Sequence, residues 1–202
     1  ISTPQQLAKL AELVNSTDET IRNAYNSKYY ILMNDLDLSA YGKDYNNGEG
    51  WVPIGKDYSA NPFMGSFNGN YKTITGLYIK REDPYQGLFG AVDNGTIKNL
   101  GMISTNVIGG TIVGSVAGWI SGTIQNCYSN GTVKGTNSTV GGVTGQVVGT
   151  MQNCYSTGEV KGYIYIGGIA GLLANSGSKM ENCYSTASVT GTVHSIGGIA
   201  GQ

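Results

Sequence analysis

The tetrapeptide Asn-Cys-Tyr-Ser occurs three times in this chain, at residues 126–129, 153–156 and 182–185. The copies start 27 and 29 residues apart, and Asn99-Leu100-Gly101 stands one such interval before the first of them. Two further landmarks keep the same phase. A Gly-apolar-small-Gly block or a close variant recurs at residues 87–90, 115–118, 142–145, 168–171 and 198–201, and an apolar-x-Gly unit recurs at 107–109, 133–135, 160–162 and 189–191. Three landmarks that share one period indicate a repeat architecture.

The repeat unit is typical of a β-solenoid. Its Thr- and Val-rich runs are too short for helices and are divided by glycine turns, which predicts three short strands in each unit. A unit of about 27 residues fits one coil of a parallel β-helix, whose strands pair with their copies about 4.8 Å away. A propeller blade would need about 40 to 50 residues. The sequence therefore predicts an all-β parallel solenoid.

The cysteines show which side chains face inward. The later copies have cysteine where the first copy has Leu100, and another apolar position lies three residues earlier, at Ile97 in the first copy. Because two inward positions are three residues apart, the chain must bend at the asparagine between them, and Asn tolerates turn conformations. We predict two structural ladders, one of stacked internal thiols and one of corner amides: Cys127, Cys154, Cys183 and Asn126, Asn153, Asn182.

A column of tyrosines is the best binding candidate in the sequence. If the cysteines face inward, the next residues face outward, which predicts an exposed column of Tyr128, Tyr155 and Tyr184. Flat aromatic faces among Ser, Thr and Asn can stack on sugar rings or anchor a protein partner. The alternative is that stacked tyrosines only stabilise one face of the sheet.

The first 29 residues are expected to form a helical cap. Thr3, Pro4 and Gln6 together make a typical helix start, and apolar residues recur at helical spacing from Leu7 to Val14. A second, weaker helix is predicted within residues 17–26. Such helices would cover the open end of the solenoid, where unpaired backbone groups favour aggregation. The alternative is a helix that docks a partner.

Two further regions follow this cap. Residues 30–86 are expected to hold the first solenoid coils, with a long surface loop over residues 41–61, where little periodicity is seen. Residues 87–202 are expected to hold the repeats, truncated at the C-terminus. Because the chain begins at Ile1 without an initiator Met or a signal region, we expect it to be a piece of a longer polypeptide.

The composition excludes several classes of protein. The chain has 32 glycines but only 4 prolines in 202 residues, and 12% charged residues with a net charge of -1. This argues against a coiled coil, a disordered chain and collagen. Without clustered basic residues we expect no nucleic-acid partner. No apolar stretch approaches the length of a membrane span, and three cysteines cannot form a complete internal disulfide framework.

Catalysis is not expected. Polysaccharide-cleaving β-helix enzymes need two or three acids on one face, whereas Asp93, Glu159 and Glu181 fall at different phases of the repeat. His194 is the only histidine. Asp35 and Asp37 alternate with inward leucines and make a weak calcium candidate, for which the alternative is a solvated strand face. We otherwise predict no metal and no cofactor.

The repeats resemble the GLUG repeat of bacterial surface proteins. The resemblance rests on the blocks that start with Gly87-Leu88-Phe89-Gly90, on the Asn-Cys-Tyr-Ser tetrapeptides and on the Gly-x-Val-x-Gly units. Upstream, residues 36–38, 51–55, 63–69 and 73–77 resemble the segment that commonly precedes GLUG arrays, so that the match extends over residues 30–202. It implies a right-handed parallel β-helix on a secreted or surface-anchored protein, often an adhesin or an accessory region of an extracellular enzyme. The copy with Ser115 and Trp119 departs from the pattern, so an irregular coil is expected there.

The sequence thus favours a non-catalytic, secreted or cell-surface solenoid module that binds glycans or extracellular host or matrix proteins. One alternative is a structural stalk or spacer of a larger secreted enzyme. A less favoured alternative is a polysaccharide-acting β-helix enzyme.

Overall fold

The structure is a computed structural model that describes all residues 1–202. Two helices, α1 (Pro4–Val14) and α2 (Glu19–Tyr25), precede 17 strands. The strands are β1 (Tyr29–Ile31), β2 (Leu36–Asp37), β3 (Ser66–Thr75), β4 (Tyr78–Lys80), β5 (Phe89–Gly109), β6 (Ala117–Gln125), β7 (Tyr128–Gly135), β8 (Ser138–Gly141), β9 (Thr144–Val147), β10 (Thr150–Gln152), β11 (Tyr155–Gly162), β12 (Ile164–Gly167), β13 (Ala170–Leu173), β14 (Lys179–Glu181), β15 (Tyr184–Ser185), β16 (Ser188–Gly191) and β17 (Ile196–Gly197).

The strands wind into a parallel β-solenoid of about 5 turns, which confirms the predicted fold class. The long strand β5 pairs in parallel with β3 and β4 on one side and with β6 and β7 on the other. Later strands repeat this arrangement, since β7 pairs with β11 and β11 with β15 and β16. A separate three-stranded sheet, in the order β17-β12-β8, completes the later coils.

The register places like residues on like residues. Ile97 pairs with Ile124, which pairs with Met151, and Met151 pairs with Met180. Ile97, Ile124 and Met151 belong to one continuous core cluster of 37 buried residues, against which the partly buried Met180 packs. Because each coil buries the same positions as its neighbours, the repeat period read from the sequence also specifies the three-dimensional neighbours.

The irregular coil lies one turn earlier than expected. The prediction of an irregular coil at Ser115 and Trp119 is wrong, because β6 pairs with β9 without a register shift, and the buried Ser115 hydroxyl donates to the Gly142 carbonyl at 2.6 Å. The register shifts instead on β5, between Asp93 and Thr96 and again further along the strand. Extra residues on one strand of a pair produce such bulges.

Helix α1 covers one end of the solenoid. Its N-cap is Thr3, whose side-chain oxygen accepts from the Gln6 backbone N–H, and its first residue is Pro4. Its apolar face, from Leu7 to Val14, belongs to the core cluster. The terminal amino group of Ile1 donates to the Ile31 carbonyl at 2.7 Å. The N-terminal residues therefore pack on the first coil and pair with its edge.

The prediction of a surface loop over residues 41–61 is wrong for the centre of that segment. Trp51 and Ile54 are buried, with 1% and 0% of their surface exposed. The Trp51 backbone N–H donates to the Tyr78 carbonyl and the Ile54 N–H to the Leu88 carbonyl, at 2.8 and 3.0 Å. These bonds place the segment against the neighbouring coil, although most residues on either side of it are exposed.

Candidate functional site

The asparagine corner forms a continuous ladder of side-chain hydrogen bonds. Each amide donates to the carbonyl oxygen of the asparagine one coil earlier, at 3.0, 2.8, 3.1 and 3.3 Å along the series Asn68, Asn99, Asn126, Asn153, Asn182. The backbone at the last three positions has φ of 52°. This left-handed conformation is one that Asn accepts more readily than most residues. The corner residues thus set the bend and link successive coils.

The three cysteines point into the solenoid and are free thiols. Cys127 and Cys154 are buried, and Cys183 is half-buried. The hydrogen bond to Cys127, together with burial, raises the pKa of Cys154 to about 12, and the pKa of Cys183 is raised by its hydrogen bond to Cys154. Since the thiolate is the reactive form, Cys154 and Cys183 are poor nucleophiles at neutral pH.

The three tyrosines form a column of parallel rings. The centroids of Tyr128 and Tyr155 lie 4.8 Å apart with the rings inclined by 1°, and those of Tyr155 and Tyr184 lie 5.1 Å apart at 6°. At the other end the ring of Tyr128 lies over Gly101, where an added Cβ would fall 2.4 Å from the ring. The ring faces therefore contact one another or the backbone, and the column presents its ring edges.

This stacking changes what the tyrosine column offers to a ligand. A sugar ring stacks on an aromatic face. In this column Tyr184 has a ring neighbour on one side only and is 55% exposed, so it is the member that offers a free face. Burial raises the pKa of Tyr155 above its ordinary value. The column is better suited to contacts along its edges than to stacking on a sugar ring.

The acids of the repeat region do not meet in one site. Asp93, Glu159 and Glu181 lie on β5, β11 and β14, in different rows of the sheet. Each has a local partner: Asp93 accepts from Ser121 Oγ at 3.0 Å, Glu159 pairs with Lys161 at 2.7 Å, and Glu181 accepts from Gln152 Nε2 at 2.9 Å. His194 Nδ1 lies 3.2 Å from Ser195 Oγ. No paired general acid and base arises from these positions.

Asp35 and Asp37 act as hydrogen-bond acceptors for the backbone. The Asp35 carboxylate accepts from the Thr73 N–H at 2.7 Å, and this bond holds its pKa below the usual value. The Asp37 carboxylate accepts from the Ser39 N–H at 2.8 Å. The structure contains no group of three His, Cys, Asp or Glu side chains that could hold a metal ion. No third acidic side chain joins the weak calcium candidate.

A cavity of about 530 Å³, which the sequence did not reveal, lies between α1 and residues 41–56. It is lined by Gln5, Ala8, Lys9, Ala11, Glu12, Asn15, Tyr41, Tyr45, Trp51, Val52 and Lys56. The available sequence signal was the group of aromatic residues in a segment without repeat periodicity. The cavity depends on two segments about 40 residues apart in sequence, so no local pattern predicts it.

Comparison with known proteins identifies the repeat. The family described as "The GLUG motif" matches residues 162–190. The chain is 37% identical over 137 residues to halomucin of Haloquadratum walsbyi, and 38% identical over 114 residues to a protein of Evansella cellulosilytica provisionally named a Gly-rich membrane protein. These alignments cover 66% and 54% of this chain but only 2% and 13% of those relatives.

A solved structure shares the fold. It belongs to a Bacteroides ovatus protein provisionally named an immunoglobulin A1 protease, with a TM-score of 0.64 and 16% identity over 99% of this chain and 81% of the other. At that identity the likeness concerns the fold alone. No helix of the present chain is long and apolar enough to cross a membrane. The comparisons confirm the resemblance drawn from the sequence: this chain is a parallel β-solenoid that carries the GLUG repeat.

Proposed function

We propose that the chain is a non-catalytic, extracellular segment that extends and stiffens a larger surface protein. The asparagine ladder, from Asn68 to Asn182, is the observation that carries this proposal. A bonded corner in every coil links neighbours along the solenoid axis, and solenoid stability is approximately a sum of such neighbour terms. The long relatives, one of them named as a membrane protein, support a role within a larger protein at the cell surface.

The extension role is tested by changing the number of coils. Duplicating residues 127–153 adds one repeat with its own corner asparagine and cysteine. We expect small-angle X-ray scattering to show the long axis growing by about 4.8 Å, and the melting temperature to rise or stay constant. An inserted repeat that leaves the long axis unchanged and lowers the melting temperature contradicts the proposal. In parallel, polysaccharide turnover by the chain would contradict its non-catalytic character.

Adhesion is the second candidate function. It is favoured by the tyrosine column, whose ring edges run along one face and end at the 55% exposed Tyr184. The expected ligands are glycans or extracellular host or matrix proteins. Because the ring faces are largely covered, we expect the phenol hydroxyls to make the decisive contacts.

Two triple variants separate binding from stability. Replacing Tyr128, Tyr155 and Tyr184 by phenylalanine keeps the stack and removes the hydroxyls, whereas replacing them by alanine removes both. If the column binds, both variants lose binding on a glycan and matrix-protein array while their circular dichroism spectra match the wild type. Retention of binding by the alanine variant contradicts the adhesion role of the column and leaves the extension role untouched.

A further inference from the structure

We propose that the cavity between α1 and residues 41–56 binds a pyranose sugar that carries a carboxylate, as uronic and sialic acids do. Its volume of about 530 Å³ lies within the range of small-molecule sites. It has aromatic, amide and charged side chains together in one concave surface. The site is separate from the tyrosine column and does not depend on either function proposed above.

The α1 wall of the cavity is fixed by one side chain. Asn15 caps the C-terminus of the helix, and its Nδ2 donates to the Pro53 carbonyl at 2.8 Å. Its Oδ1 accepts from the backbone N–H groups of Gly55 and Lys56 at 3.0 and 3.2 Å. Three bonds from one residue thus tie the helix to the facing segment.

The opposite wall is fixed by Arg81, the residue that follows β4. The Arg81 side chain, only 10% exposed, forms an ion pair with Glu49 at 2.7 Å. Its Nε donates to the Trp51 carbonyl at 3.2 Å. A guanidinium that is so well enclosed and bonded on several sides holds the segment in one conformation. The cavity is therefore preformed, which lowers the entropy cost of binding.

The aromatic rings of the cavity are arranged differently from those of the tyrosine column. Tyr41 contacts the buried Trp51 edge-on, with centroids 5.6 Å apart at 85°, and Tyr45 contacts Tyr41 at 5.0 Å and 74°. An edge-to-face contact covers at most one face of each ring. Since Tyr45 is 41% exposed, it is the ring that offers a face to the apolar side of a sugar.

The charges of the cavity favour an acidic sugar. Glu12 is paired with Lys9 at 2.7 Å, whereas Lys56, which lines the same cavity, has no ion pair in the structure. A carboxylate on the ligand would complement Lys56 and gain from its charge. A neutral sugar of the same ring size could stack on Tyr45 without that contribution.

The test is an NMR titration of the ¹⁵N-labelled chain with D-glucuronate, N-acetylneuraminate and methyl glucoside. We expect saturable shifts of amides that line the cavity, with an acidic probe binding at least about threefold more tightly than methyl glucoside. Tyr45→Ala should weaken binding about fivefold to tenfold, the loss expected for about 1 to 1.4 kcal/mol. Lys56→Ala should abolish the preference for the acidic probes. The two acidic probes distinguish uronic from sialic acid ligands.

The control is Tyr71→Ala, which removes another exposed tyrosine, 78% exposed and absent from the cavity lining. It should bind like the wild type, and far-UV circular dichroism should show that all variants are folded. Absence of saturable shifts with all three probes overturns the proposal. So do shifts that survive Tyr45→Ala unchanged, or shifts confined to the tyrosine column.

Discussion

At the scale of single residues, the asparagine corner combines a backbone role with a side-chain role. Asn153 adopts φ of 52°, donates to Asn126 and accepts from Asn182, so two ladder bonds meet at this residue. Left-handed backbone costs about 1–2 kcal/mol for most L-residues, and each hydrogen bond contributes about 0.5–1.5 kcal/mol. The two contributions are separable by mutation.

We expect Asn153→Ala to lower the free energy of unfolding by about 2–5 kcal/mol. Asn153→Gly should cost less, because glycine accepts the backbone conformation and loses only the ladder bonds. Chemical denaturation measures both effects. Asn137→Ala is the matched control, since Asn137 is exposed and lies outside the ladder. Equal losses in the glycine and alanine variants would show that backbone conformation contributes nothing at this corner.

The buried thiols predict a dependence of stability on alkaline pH. The pKa of Cys154 is raised to about 12 in the folded chain, whereas an unfolded cysteine titrates near 8.5. Unfolding therefore releases a proton between these values, and stability should fall as pH rises from about 8.5 towards 12. Denaturation measured from pH 8 to 11 should show a shallower decline for Cys154→Ala than for the wild type. If stability fell equally with pH in the wild type and in Cys154→Ala, this would contradict a raised pKa of Cys154.

At the scale of elements, α1 protects the first coil. Its Thr3 cap, its buried apolar face and the pairing of Ile1 with Ile31 together cover backbone and apolar surface that an open solenoid end would expose. Open strand edges are templates for association. We therefore expect the helix to contribute to solubility as well as to stability, and it also forms one wall of the cavity.

We expect deletion of residues 1–16 to produce concentration-dependent aggregation, measured by light scattering. Thr3→Ala should instead lower the free energy of unfolding by about 1 kcal/mol without aggregation, because it removes only the N-cap hydrogen bond. A monomeric, fully folded deletion variant would show that the exposed edge is harmless and that α1 serves another purpose.

At the scale of the whole molecule, burial is uneven along the solenoid axis. The row Ile97, Ile124 and Met151 is fully buried, whereas Met180, in the last coil within residues 1–202, is only partly buried. In a solenoid each coil is stabilised by its neighbours, so a coil with one neighbour opens more easily than a coil with two.

Hydrogen exchange should follow this gradient. We expect amides of β5, β7 and β11 to exchange slowest and those of β14 to β17 fastest, with the protection of each coil depending on its neighbours. Mass spectrometry of peptides after timed exchange measures the order. Uniform protection across all coils would indicate one cooperative unit and contradict the neighbour-by-neighbour description.

In the repeated half of the molecule, the sequence predicted which side chains stack on one another in successive coils. Because successive coils stack the same positions, the phase of the repeat located the inward cysteines, the corner asparagines and the tyrosine column. The unrepeated part was not predictable in this way. Trp51 and Ile54 were expected in a surface loop but are buried, since their partners Tyr78 and Leu88 lie far away in sequence.

The sequence by itself therefore determined the solenoid, its period and its ladders, because in a repeat the neighbour in space is the equivalent residue one period away. Only the tertiary structure decided which ring faces are accessible and where a cavity forms. Stacking at 4.8 Å covers the faces of the tyrosine column, whereas the bonds from Asn15 and Arg81 leave Tyr45 beside an open cavity. The cavity depends on the relative placement of segments that share no repeat, and the covered ring faces depend on the side-chain conformation of the tyrosines, neither of which periodicity specifies.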